Sequence, residues 1–139
     1  MEVIALDLEG TLISNAMSQI ARAGLHAFLE TCHRMCKRVV VFTTVKESLF
    51  RQIATLLVEE GSAPDWFKDI EYINWVGATK DLGFIKYADI NKIVLVDDFS
   101  GYVHPGQEAR WIEVQHFDYP YDKDDQELNR ALQKLKLYL

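Results

Sequence analysis

A chain of 139 residues suits one hydrophobic core, and its 49% hydrophobic and 26% charged residues exclude a disordered or collagen-like protein. The formal net charge of −6 leaves no basic stripe for a nucleic-acid backbone, so we expect no nucleic-acid partner. No apolar run approaches the ~20 residues of a membrane span, so we expect no membrane partner either. We predict a single domain over residues 1–139 in the cytoplasm, because no signal peptide is recognisable and two cysteines do not form a disulfide framework.

Short apolar runs alternate with helical periods, which predicts a parallel sheet covered by helices. The strands are expected at Val3–Leu6, Arg38–Phe42, Tyr72–Val76, Ile93–Val96 and Trp111–Val114. The helices are expected from about Met17 to Lys37, from near Lys46 to Gly61, and over Asp124–Leu139. The second helix should bury Leu49, Ile53, Leu56 and Leu57. We therefore predict a Rossmann-like, three-layer α/β/α fold with about five parallel strands.

Polar side chains follow three of these strands at the point where each strand ends. Asp7 and Glu9 follow the first strand, Thr43 follows the second, and Asp97 and Asp98 follow the fourth. The carboxyl ends of parallel strands meet at one edge of the sheet, which is where ligands bind in open α/β folds. The sequence therefore predicts a site at this edge.

The residue types in this site suit phosphoryl chemistry. An aspartate such as Asp7 can attack a phosphoryl group and form an aspartyl-phosphate. A dianionic substrate would be repelled by that carboxylate, so the site needs a cation, and Asp97 and Asp98 supply the oxygen ligands that Mg²⁺ prefers. Thr43 and Lys80 can donate hydrogen bonds to the transferring oxygens.

These residues resemble, in chain order, the four motifs of the haloacid dehalogenase-like phosphatases. The motifs are Asp7-Leu8-Glu9-Gly10-Thr11, the second strand with Thr43, Lys80, and the fourth strand with Asp97-Asp98. The carboxyl half is most similar to the NLI-interacting-factor-like group, which includes phosphatases of the RNA polymerase II tail. The stretches that carry this closer resemblance are Thr79–Leu82, Val94–Ser100, His104-Pro105 and Asp118–Leu128.

The resemblance implies a role for each residue. Asp7 would be the nucleophile and a metal ligand, and Glu9 would protonate the leaving oxygen and offer its backbone carbonyl to Mg²⁺. Thr43 would donate to the phosphoryl oxygens, and Lys80 would pair with the phosphoryl group and the nucleophile. In the acidic pair of the fourth motif, Asp98 would bind the metal, and Asp97 would complete the metal site by orienting Lys80 or a bound water.

Glu9 departs from the family pattern, which usually has aspartate at this position. The extra methylene moves the carboxyl group by about one C–C bond, whereas proton transfer requires a reach of ~2.6–3.2 Å. Enolase-phosphatases of the same superfamily carry a similar glutamate, so the substitution is compatible with turnover. A catalytically weak or inactive binding module remains an alternative.

The spacing between motifs leaves no room for the cap domain that many relatives insert. Residues 13–38 and 45–79 are nearly filled by the predicted helices and one short strand. An open site suits a phosphorylated protein or another large substrate, whose own body excludes water. A phosphatase acting on a small phosphate ester is the second alternative.

Simpler explanations exist for individual residues. Thr44 is expected to cap the second helix, and Thr79 to cap a helix whose first turn contains Lys80. Cys32 and Cys36 share a helical face, so packing is favoured over metal binding.

Three further groups are assigned no catalytic or metal-binding role. The histidines, including His116, lack the spacing of a zinc site. The acidic stretch Asp122–Asp125 is interpreted as a solvated helix start. The aromatic residues Trp66, Phe67, Tyr72 and Trp75 are expected to pack in the core more often than to line the site entrance.

Overall fold

A computed structural model describes all 139 residues and contains one parallel sheet of five strands. The strands are β1 (Val3–Leu6), β2 (Arg38–Val41), β3 (Glu71–Tyr72), β4 (Ile93–Asp97) and β5 (Trp111–Glu113). They lie in the order β3-β2-β1-β4-β5. The predicted Rossmann-like α/β fold with a parallel sheet is confirmed.

The two faces of the sheet are covered differently. The helices α1 (Leu25–Met35), α2 (Glu47–Glu59) and α3 (Glu127–Leu135) pack on the face to which β1 contributes Ile4 and Leu6. The opposite face, with Val3 and Ala5, is covered by a shorter segment that contributes Ile73, Leu82 and Ile85 and contains 3₁₀ turns. The layer on this second face is therefore built without an α-helix.

The strand order reverses direction at β1. The chain passes outward from β1 to β2 and β3, and then returns to the other side of β1 at β4. Leu6 pairs with both Val41 and Val96, so the carboxyl ends of the three central strands are level. In open α/β sheets this reversal point is where ligands bind.

The first helix begins later than its apolar pattern predicts, at Leu25 rather than near Met17. Side chains of the preceding loop bind nearby backbone groups instead: Asn15 accepts hydrogen bonds from Met17 and Ser18, and Ser14 donates to Ser18. Such local hydrogen bonds compete with helix formation. Gly24 then adopts a left-handed conformation (φ 80°) directly before α1.

Three other expectations about elements were wrong in detail. The third strand covers only Glu71–Tyr72, and α3 begins at Glu127 because Asp122 and Asp125 form turns with the backbone N–H groups that follow them. Leu56 is 46% exposed, because the buried stripe of α2 follows other positions. Those positions are Phe50, Ile53, Ala54 and Leu57. None of the helices combines the length and the apolar character needed to cross a lipid bilayer.

Candidate active site

The parallel register brings the predicted carboxylates together at one edge of the sheet. Asp7 directly follows β1, and its backbone N–H donates to Val96 in β4 at 3.0 Å. Asp97 ends β4 and Asp98 follows it. Carboxylate oxygens of Asp7, Asp97 and Asp98 all lie within 4.8 Å of one another. We call these three residues the aspartate cluster.

Lys80 is fully buried and contacts two members of the aspartate cluster. Its Nζ donates to Asp7 Oδ1 at 2.8 Å and to Asp97 Oδ2 at 2.6 Å, and it lies 4.8 Å from the centre of the Tyr102 ring. The expectation of a helix capped by Thr79 is wrong: Lys80 lies in extended backbone that bridges to Val103. The Lys80 side chain is fully buried, so this lysine does not lie at the protein surface.

Thr11 links Asp7 to Asp98. Its Oγ1 lies 2.7 Å from Asp7 Oδ2 and 3.2 Å from Asp98 Oδ1. A hydroxyl group has one proton, so it can donate to one of these oxygens at a time, and the shorter distance favours Asp7. Asp97 is held separately, since its Oδ1 accepts from the Phe99 backbone N–H at 3.0 Å.

The electrostatics of the aspartate cluster reflect an excess of buried negative charge. Burial raises the pKa of Asp7 well above its usual value, and Asp97 raises it further although Lys80 lowers it. Burial opposes the charged form of Lys80, yet Asp7 and Asp97 raise the pKa of its ammonium group. Burial likewise opposes the ionised form of Asp98, but hydrogen bonds with Asp7 and His116 outweigh it and its pKa is lowered.

A cavity of about 330 Å³ opens beside the aspartate cluster. It is lined by Asp7, Glu9, Thr44, Asp98, Phe99, Tyr102 and His116. Glu9 is half-buried at this cavity, and its Oε2 accepts a hydrogen bond from the Ala16 N–H at 2.7 Å. Two carboxylates from the first motif and one from the fourth therefore face a common space.

The two threonines that follow β2 have different positions. Thr43 is buried, its Oγ1 accepts from the Val45 N–H at 3.1 Å, and it lines a neighbouring cleft of about 660 Å³. Thr44 is exposed and lines both the cavity and the cleft. The expectation that Thr44 caps α2 is wrong, because Lys46 is the residue at the cap position and no side chain caps the helix.

His116 is the site residue that sequence reasoning missed most clearly. Its Nδ1 lies 2.6 Å from Asp98 Oδ2. His116 lacks the spacing to other histidines that marks a zinc site, and no local pattern indicates a contact with a carboxylate 18 residues away. Tyr102 and Thr11 were also missed as contacts of Lys80 and Asp7.

Arg22 holds the loop that carries the first motif. The guanidinium group is buried, and its Nη1 donates to the backbone carbonyls of Gly10 at 3.4 Å and Thr11 at 3.2 Å. Its Nε and Nη2 form a bidentate ion pair with Asp125, both at 3.0 Å. The interpretation of Asp125 as part of a solvated helix start is therefore wrong.

The remaining aromatic and cysteine predictions concern packing. Phe67 is buried in the core, and Trp66 packs against it. Tyr72 and Trp75 line the cleft, and Trp75 Nε1 donates to the Thr43 carbonyl at 2.8 Å. The cysteines are buried free thiols, Cys32 in α1 and Cys36 directly after it, and both lie in the hydrophobic core, consistent with packing.

The fold and this site define a protein of the haloacid dehalogenase-like class, with the acidic residues and the lysine of its motifs brought to the reversal point of a parallel sheet. Comparison with family models is more specific. The model of the NLI interacting factor-like phosphatase family matches residues 2–139, and the chain belongs to this family. No curated protein matches the chain. Membership in a phosphatase family implies a phosphorylated substrate.

Proposed function

We propose that this chain is a Mg²⁺-dependent phosphomonoesterase that works through an aspartyl-phosphate on Asp7, with a phosphorylated protein or another large molecule as its substrate. The observation that carries the proposal is the contact between Asp7 and the fully buried Lys80 at the edge of a cavity that Glu9 and Asp98 also line. A structural ion pair alone would not explain the two further carboxylates beside it.

In the first step, a carboxylate oxygen of Asp7 bonds to phosphorus as the ester P–O bond breaks, and Glu9 gives a proton to the departing oxygen. In the second step, Glu9 takes a proton from a water molecule whose oxygen attacks phosphorus. The bond between Asp7 and phosphorus then breaks, and inorganic phosphate leaves. Both carboxyl groups return to their initial states.

Lys80 and Thr43 are proposed to stabilise the charge on the phosphoryl oxygens. Lys80 also orients Asp7, because the 2.8 Å hydrogen bond fixes one oxygen of the nucleophile. The Thr43 oxygen accepts from Val45, so its hydroxyl proton remains for a phosphoryl oxygen. Both oxygens of Asp97 accept hydrogen bonds, from Lys80 and Phe99, which supports a role in orienting Lys80.

The aspartate cluster fits a bound Mg²⁺. Its ligand atoms are carboxylate oxygens, and the pKa of Asp7 is raised by burial and by Asp97, so a divalent cation would relieve an existing charge imbalance. We propose that Asp7, Asp98 and the backbone carbonyl of Glu9 hold this ion, with Asp97 completing the site through Lys80. The bound ion would neutralise repulsion between the carboxylates and the dianionic phosphoryl group.

The surroundings of the cavity support a large substrate. Thr44 connects the cavity to the larger cleft, whose walls include Tyr72, Trp75 and Phe84. Val76 at the edge of this cleft is 78% exposed. A peptide segment beside the phosphorylated residue could cover this apolar surface and exclude water from the site.

We also propose that residues 1–139 form one domain and that the protein works in a reducing, cytoplasmic setting. Cys32 and Cys36 are both free, and burial raises the pKa of the Cys32 thiol. These features support a protein that does not depend on disulfide bonds.

Hydrolysis of p-nitrophenyl phosphate tests the reaction. We expect turnover that requires Mg²⁺, stops when the metal is chelated, and is lost in Asp7→Asn. A folded wild-type chain without turnover under these conditions would favour the binding-module alternative.

A substrate panel tests the size of the substrate. We expect higher kcat/KM for phosphopeptides than for sugar phosphates and other metabolites. Hydrolysis confined to one metabolite would contradict the proposal of a large substrate and would leave the reaction itself intact.

A further inference from the structure

We propose that His116 is a positioning residue for Asp98 and that it thereby sets the affinity of the site for Mg²⁺. The inference rests on the proposed function, because it concerns the metal that the aspartate cluster would hold. It assigns a purpose to a histidine that lies outside the four motifs.

The backbone fixes the position of His116 relative to the first and fourth motifs. The neighbouring Phe117 donates its N–H to the Gly10 carbonyl at 2.8 Å, and Val114 donates to the Asp97 carbonyl at 3.3 Å. The segment after β5 is therefore attached to both loops that carry the acidic residues. These backbone contacts on either side fix the main chain at His116.

The two oxygens of Asp98 face different partners. Oδ2 lies 2.6 Å from His116 Nδ1, and Oδ1 lies 3.2 Å from Thr11 Oγ1, on the side of Asp7. An ionised carboxylate only accepts hydrogen bonds, so Nδ1 is the donor. By holding Oδ2, His116 keeps Oδ1 directed toward Thr11 and Asp7.

Gly10 supports the His116–Asp98 pair from behind. A Cβ atom built on Gly10 would lie closer than 3.0 Å to both His116 Nδ1 and Asp98 Oδ2. The backbone there also has φ 76°, which residues with side chains rarely adopt. The imidazole and the carboxylate thus rest directly against the glycine of the first motif.

A pair on the protein surface would contribute little, since exposed ion pairs are typically worth ~0–1 kcal/mol. The His116 side chain is 59% exposed, but that of Asp98 is only 10% exposed. Orientation of a nearly buried ligand is the larger effect. Removing a hydrogen-bond partner from a metal ligand typically lowers metal affinity by about 10–100-fold.

The position of His116 Nε2 argues against an alternative role in which the ring relays a proton to Asp118. It lies 3.9 Å from Asp118 Oδ2, which is too long for a hydrogen bond. The imidazole ring therefore hydrogen-bonds to Asp98 and not to Asp118.

Calorimetric titration of Mg²⁺ into four chains tests the inference: the wild type, His116→Phe, His116→Asn and His26→Phe. The phenylalanine keeps a planar ring but removes the donor, whereas the asparagine Nδ2 can replace the imidazole Nδ1. His26 is an exposed histidine on α1 and serves as the matched control. We expect about 10–100-fold weaker binding in His116→Phe and nearly wild-type binding in the other two variants. Thermal unfolding in chelator checks that all four chains fold.

Turnover measured against Mg²⁺ concentration separates positioning from catalysis. We expect His116→Phe to need more Mg²⁺ for half-maximal rate and to approach the wild-type kcat at saturation. A low kcat at saturating Mg²⁺, unchanged Mg²⁺ affinity in His116→Phe, or no rescue by His116→Asn would overturn the inference alone. A wild-type chain that binds no Mg²⁺ would overturn the proposed function as well.

Discussion

Asp7→Asn is expected to stabilise the metal-free chain while it abolishes turnover. Asp7 Oδ1 accepts from Lys80 and Oδ2 accepts from Thr11. An asparagine in the same rotamer can accept from Lys80 through Oδ1 and donate to Thr11 through Nδ2. The Thr11 hydroxyl proton is then free to turn toward Asp98 Oδ1, 3.2 Å away. The substitution removes a buried charge and keeps a partner for Oδ1, for Nδ2 and for the Thr11 hydroxyl group.

The charge balance at Asp7 gives the size of the effect. At an effective dielectric constant of ~20, attraction to Lys80 at 2.8 Å is worth about 6 kcal/mol. Repulsion from Asp97 and from Asp98, with oxygens no more than 4.8 Å away, is worth at least about 3.5 kcal/mol each. Repulsion thus offsets the attraction, and the cost of burying the Asp7 carboxylate remains. We expect Asp7→Asn to stabilise the metal-free chain by about 1–4 kcal/mol.

Thermal unfolding in chelator measures this gain. For a chain of 139 residues, each kcal/mol corresponds to about 3 °C in Tm. The pKa of Asp7 is raised in the folded state, so the ionised carboxylate destabilises the fold in full above that pKa. This destabilisation disappears as the pH falls toward 3.8, the usual pKa of an aspartate. The gain should therefore be largest at neutral pH and small in acid.

The exposed Asp124→Asn is the matched control and should leave Tm nearly unchanged at both pH values. Mg²⁺ should then stabilise the wild type and not Asp7→Asn, by about 2.7 kcal/mol at one hundred times Kd. An Asp7→Asn chain that is less stable than the wild type in chelator at neutral pH would refute the charge balance.

Three further substitutions test other parts of the site. Lys80→Met leaves Asp7 and Asp97 buried without their cation. Urea unfolding at neutral pH should show that the free energy of unfolding falls by about 3–5 kcal/mol. The fall should be smaller in acid, where the carboxylates are protonated. Glu9→Gln should lower kcat about 10²–10⁴-fold without weakening Mg²⁺ binding in calorimetry; weaker binding would assign its side chain to the metal. Arg22→Met should cost about 3 kcal/mol in urea unfolding. Burial opposes the ionised form of Asp125, but Arg22 outweighs it and the pKa of Asp125 is lowered. The stability lost in Arg22→Met should therefore shrink as the pH falls below 3.8. A loss that is constant with pH would contradict this reasoning.

The central strands and the acidic edge could be predicted because their signals are local. Buried parallel strands require continuous apolar runs, and a polar residue directly after such a run lies at the carboxyl edge. Asp7 and Asp97 meet this condition without any knowledge of distant contacts. Lys80 was placed in the site by resemblance to a motif, whereas its expected helix was wrong because Lys80 lies in extended backbone that bridges to Val103.

The contacts between distant segments could not be predicted from local patterns. His116 is 18 residues from Asp98, and Arg22 is 103 residues from Asp125. Both pairs depend on how the segments after β5 fold back over the loop of the first motif. The Gly10 carbonyl, which accepts from Phe117 and lies near Arg22, joins these two networks.

Trapping of the phosphoryl group tests the role of Asp7 most directly. The chain is mixed with p-nitrophenyl phosphate and Mg²⁺, quenched in acid, and the acyl phosphate is reduced with borohydride before peptide mass spectrometry. We expect conversion of Asp7 to homoserine in the wild type, in proportion to the phosphorylated fraction, and no conversion in Asp7→Asn. Sustained phosphate release with the label on another residue, or with no labelled residue, would contradict Asp7 as the nucleophile.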